Sequence, residues 1–126
     1  MSKDILPTHD CFEDATQIIF KLLQEDKSKF TNPNIFLVHA ICLKEDGSKY
    51  SHAWIEVEGD VWFSGILDEQ KVYLQATKKE FYENFRVVEE TKYTLQEACL
   101  VAKAHNDIPP PWEHKYQKLC KNYPKN

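Results

Sequence analysis

A chain of 126 residues, 42% hydrophobic and 29% charged, has the make-up of one folded domain with its own core, and three glycines leave little for a glycine-rich phosphate cradle. The formal net charge of −4, with lysines scattered among acids, argues against a nucleic-acid or anionic-membrane surface. The opening MSKDILPTHDCF lacks the apolar run of a signal peptide and no segment approaches the roughly 18 apolar residues of a membrane span, so a cytoplasmic protein is expected.

After a lead ending in Pro7, residues Phe12, Ala15, Ile18, Ile19, Leu22 and Leu23 recur at helical spacing and predict an amphipathic helix over 11–25. Asp10 is placed as its N-cap with Glu13 at the third helical position, the reciprocal pattern that satisfies two orphan amides, so Cys11 falls in the first turn. An Asn-Pro-Asn turn leads into IFLVHAICL (35–43), β-branched and apolar, which suits a buried strand. The Asp-Gly of KEDGSK then turns the chain into strands at 50–57 and 61–67 around Glu58-Gly59-Asp60, an antiparallel meander. KVYLQA (71–76) is a candidate fourth strand, KKEFYENF a short amphipathic helix and RVVEETKY a candidate last strand. Thr94 and Glu97 repeat the capping-box spacing ahead of LQEACLVAKAH, a helix that IPPPW ends because consecutive prolines supply no helical amides. A final helix is expected from Trp112 to about Lys121. Together these predict a single α+β domain over 1–126: an N-terminal helix packed on an antiparallel sheet of about four or five strands, with C-terminal helices. A core over 7–90 is followed by helices and tail over 91–126.

The four cysteines, Cys11, Cys42, Cys99 and Cys120, form no C-x-x-C pair, which argues against a structural zinc and, in a reducing cytosol, against disulfides. Each is a small core residue or a reactive thiol. Cys11 is placed for the second role, because the unpaired amides and positive dipole end of a helix start stabilise a thiolate, although Glu13 and Asp14 oppose this. Such a nucleophile needs a base, and among five histidines His52, on a strand that can face the helix start, is the candidate. His39 reads as a satisfied core histidine; a metal shared with Cys42 is disfavoured because i and i+3 on a strand point to opposite faces. No metal or cofactor is expected.

The stretch SHAWIEVEGDVW resembles the H-A-W-x-E segment of transglutaminase-like and papain-like cysteine enzymes, whose nucleophilic cysteine begins an earlier helix separated from it by a strand. The order CFEDATQIIFKLL, NIFLVHAICL, SHAWIEVE, VWFS repeats that arrangement over residues 9–65. The resemblance implies a papain-like or transglutaminase-like fold, Cys11 as nucleophile and His52 as base. It also implies an Asp or Asn on the following strand to hold the imidazole, and there this chain carries Ser64. A three-residue turn at 58–60 puts Trp62 and Ser64 on the face of His52, Trp54 and Glu56; a two-residue turn turns Ser64 away and leaves Asp68 as a more distant substitute. No glutamine precedes Cys11 as an oxyanion donor; its own amide can serve, and His9 is a candidate second donor with a plainer reading as a loop histidine. Trp54 and Trp62 are candidate substrate contacts or sheet packing.

The expected chemistry is acyl transfer: the Cys11 thiolate attacks an amide or ester carbonyl, His52 takes and returns the proton, and Ser64 or a carboxylate holds the ring. Water as acceptor gives hydrolysis and an amine gives transamidation, on a peptide, amide or small-molecule substrate. Two readings compete with it. One is a non-catalytic domain of the same fold that binds a partner in the same groove, as the absent Asp or Asn allows. The other is an adaptor working through IPPPWEHKY, which otherwise lies over the core.

Overall fold

The computed structural model describes residues 5–7, 10–108 and 110–119. In chain order these form β1 (Leu6–Pro7), α1 (Cys11–Glu25), a 3₁₀ turn (Lys27–Thr31), β2 (Ile35–Leu43), β3 (Lys49–Val57), β4 (Asp60–Leu67), β5 (Gln70–Thr77), α2 (Lys78–Phe85), β6 (Val87–Thr94), α3 (Leu95–Ala104) and α4 (His114–Leu119). The expected extension of the last helix to Lys121 lies outside the described residues, as do His9 and Cys120.

All strands join one antiparallel sheet, five long ones in the order β5-β4-β3-β2-β6 with the two-residue β1 added beside β4. The β2–β3 register is uninterrupted, with Ala40 opposite His52 and His39 opposite Ala53. The β3–β4 pairing is short: only Ile55, Val57 and the Glu56 between them meet Trp62, Asp60 and Val61, after which the strands part. Helix α1 touches both parting strands. Because neighbouring strands are antiparallel, β5 and β6 run parallel at opposite edges of the sheet, and α2 carries the chain between them.

Two layers cover the sheet. On one face α1 and the C-terminal segment surround His39, whose ring meets Phe12 at 4.9 Å, Tyr93 at 5.2 Å, Trp112 at 5.5 Å and Tyr116 at 5.8 Å. On the other face α2 lays Phe81 and Phe85 over His52, Trp54 and Phe63. These aromatics are buried and form the centre of the core. Their close ring contacts add edge-to-face attraction to the area they remove from water.

Helix ends follow local chemistry. Thr77 caps α2 by accepting from the Glu80 amide, and Thr94 with Glu97 forms the full capping box at α3. Asp10 stands at the N-cap of α1, but with ψ near 20° rather than extended, and its side chain makes no capping bond; its carbonyl accepts from the Asp14 amide at 2.8 Å. The reciprocal side-chain cap expected there is therefore not formed. Trp112 is buried with its indole N–H donated to the Ile108 carbonyl at 2.9 Å, so the segment after the prolines lies on the core.

Candidate functional site

The β3–β4 turn decides the geometry of the expected site. Val57 pairs with Asp60, leaving a two-residue turn in which Glu58 (φ 52°) and Gly59 (φ 91°) both take positive φ, the type I′ form that matches strand twist. Ile55 then opposes Trp62, so Trp62 and Ser64 sit on the α1 face while His52, Trp54 and Glu56 sit on the α2 face. Ser64 is consequently no partner for His52. It donates its hydroxyl to Asp14 of α1 at 2.8 Å, and Asp14 also receives the Lys71 ammonium at 3.0 Å. Asp68 stands in the β4–β5 turn, with φ 51°.

His52 is fully buried, stacked at 5.8 Å on Phe81 and beside Phe85, Trp54 and Tyr50. Neither ring nitrogen has a hydrogen-bond partner, so it shares no hydrogen bond with the Cys11 sulfur. Burial pushes its pKa down to about 3, which makes it a weak base at neutral pH. Cys11, in the first turn of α1, is also fully buried. Its electrostatic influence reaches Tyr50, whose phenol is pushed up by burial first and by Cys42 and Cys11 next. The Tyr50 ring lies 6.0 Å from that of His52.

The other expected contacts divide. Trp54 is a core residue, its indole against Phe81 at 4.6 Å and Tyr82 at 5.6 Å. Trp62 is half-buried and lines a groove of about 610 Å³ between α1 and the outer strands, with Gln17, Phe20, Lys21, Tyr73 and Gln75. Phe20 and Tyr73 are 55% and 56% exposed, large apolar side chains left facing water on the same groove. His39 occupies the core as expected, yet neither of its ring nitrogens has a hydrogen-bond partner, the hydroxyl of Thr91 opposite it being paired with Tyr116; burial pushes its pKa down to about 3. Cys42 lies on the opposite sheet face beside Tyr50, its thiol pushed up to about 12 by burial. Among the described residues no group of three or more His, Cys, Asp or Glu side chains is gathered for a metal, and no helix is long and apolar enough to cross a membrane.

The sequence reading missed a second polar feature on the α2 face. Glu56, 3% exposed, is held by Lys92 at 3.0 Å, Lys78 at 3.5 Å and the Tyr82 hydroxyl at 3.4 Å, and Tyr82 also donates to Glu90. Its signal was the alternation of β3, which sends Glu56 inward beside Trp54 and so calls for cationic partners, here the part-exposed Lys92 and Lys78.

Fold and groove define an α+β domain with an open antiparallel sheet, helix-covered on both faces, whose outer strands β5 and β6 each have one edge unpaired among the described residues. No family model, curated protein or solved structure matches the chain.

Proposed function

We propose that this chain is a non-catalytic interaction domain of transglutaminase-like build, whose working surface is the groove beside α1 and β5 rather than the Cys11–His52 pair. The resemblance of the H-A-W-x-E strand and its helix-initial cysteine supports the ancestry of the build. The observation that carries the functional reading is the enclosure of His52: a general base must reach the proton it takes within hydrogen-bond distance, and this ring is sealed among aromatics with both nitrogens unpaired. The third member of the expected constellation is engaged elsewhere, with Ser64 on Asp14. Exposed aromatic surface lies instead on the groove, where Phe20 and Tyr73 flank Trp62.

Alkylation by iodoacetamide near neutral pH, followed by peptide mapping, tests this. Half-buried Cys99 provides an internal reference thiol. Cys11 should react more slowly than Cys99, and His52→Phe should leave that order unchanged. Modification of Cys11 ahead of Cys99, slowed by His52→Phe, would establish an activated pair and restore cysteine-dependent acyl transfer as the function.

A further inference from the structure

The two outer strands of the sheet are not alike. β6 carries a register irregularity opposite Ile41 and Cys42 and the adjacent carboxylates Glu89 and Glu90, devices that blunt an edge against pairing. β5 has none of them. Its eight residues keep an unbroken register with β4 from Asp60–Thr77 to Leu67–Gln70, contain no proline, and carry one charge, Lys71. That charge is turned to the α1 side and neutralised by buried Asp14. Among the described residues the outer edge of β5 pairs with no strand. The groove opens on this side, where Tyr73 is exposed and Phe20 looks over from α1.

We infer that this edge is the interface for a second copy of the same chain, β5 pairing antiparallel with its twin to make one continuous sheet. This rests on the reading of the chain as an interaction domain and names its partner. A two-fold axis perpendicular to the sheet keeps the α1 face of both copies on one side, so residues opposite each other across the seam must share a face. The pairing therefore centres on Tyr73 or on Leu74. In the first register Tyr73 faces its twin and Lys71 faces Gln75; in the second Tyr73 faces Gln75 and Lys71 faces Thr77. Neither brings like charges together, and both gather the exposed Tyr73 and Phe20 rings of the two copies beside one seam. The same operation centred on Glu90 of β6 sets that carboxylate against its twin, and the register irregularity beside Glu89 shortens any pairing, which together disfavour that edge. An edge of eight residues is about 27 Å long, a small interface, so association in the micromolar range is expected.

Sedimentation velocity on the full chain between about 5 and about 200 µM tests this, since mass action populates a micromolar dimer across that range. The sedimentation coefficient should rise with concentration. Tyr73→Glu, at an exposed site, should weaken the dimer at least about tenfold by setting two carboxylates near the axis, with the thermal midpoint of the monomer unchanged, while Val88→Glu on β6 should have no effect. Hydrogen exchange at the two concentrations should show added amide protection confined to 70–77. A chain that stays monomeric throughout, a dimer indifferent to Tyr73→Glu, or added protection on β6 instead would overturn the inference. A monomer whose Cys11 is inert to alkylation overturns the dimer while leaving the interaction reading in place.

Discussion

Acid should destabilise this protein earlier than carboxylate protonation alone requires. His39 and His52 are buried among rings on opposite faces of the sheet, and burial pushes each down to about 3. An unfolded histidine titrates near 6.5, so between these values the unfolded chain binds protons that the folded chain refuses. Stability is therefore full above pH 6.5 and falls as pH drops towards 3. The slope approaches about 1.4 kcal/mol per pH unit for each ring; between pH 7.5 and pH 5.5 the loss is about 1.4 kcal/mol per histidine and about 2.7 kcal/mol for both. Urea denaturation at pH 7.5, 6.5 and 5.5 measures the loss directly. His39→Phe and His52→Phe should each remove about half of it, and each should raise stability at pH 7.5 by about 1 kcal/mol by deleting a buried, unpaired donor and acceptor. A midpoint independent of pH in this interval, or a slope that survives both substitutions, would refute the argument.

Asp14→Ala should cost about 1–3 kcal/mol in urea denaturation, because it removes the acceptor of the buried Ser64 hydroxyl and the ion pair that ties Lys71 of β5 to α1; Lys71→Met, at a side chain 42% exposed, should cost under about 1 kcal/mol. Phe81→Ala should cost about 3–5 kcal/mol by opening a cavity beneath α2, whereas Phe20→Ala, at a ring 55% exposed, should leave the same midpoint nearly unmoved. Thr94→Ala should lower stability by about 1 kcal/mol through loss of the capping box, read from the same denaturation curves.

Helix α1, the central hairpins and the Thr94 box were legible because each rests on a local rule: apolar spacing of 3.6, alternation of 2, and a cap three residues from its glutamate. The strand order was not legible. That β6 returns to β2 rather than extending beyond β5 depends on α2 crossing a whole face, and KKEFYENF shows only that a short amphipathic helix exists. The site turned on one residue of turn length. Glu58-Gly59-Asp60 accommodates two- and three-residue turns, and only paired coordinates show that Asp60 belongs to β4, sending Ser64 to Asp14 instead of His52. Likewise a histidine between alanine and serine looks reachable in sequence, whereas Phe81 and Phe85, some thirty positions later, close over it.

The parallel relation of β5 and β6 has a consequence for how the chain acquires its shape. Strands β2 to β5 follow one another through tight turns and can zip up from local encounters, but Ile41 finds Glu89 only after the whole intervening stretch has been arranged. Among the five long strands the β2–β6 pairing thus closes the longest loop and carries the largest closure entropy. The aromatic lid of α4 over His39 leans on that strand through Tyr116 and Thr91, so a nascent polypeptide lacking β6 would hold a ready-made meander with one flank still raw.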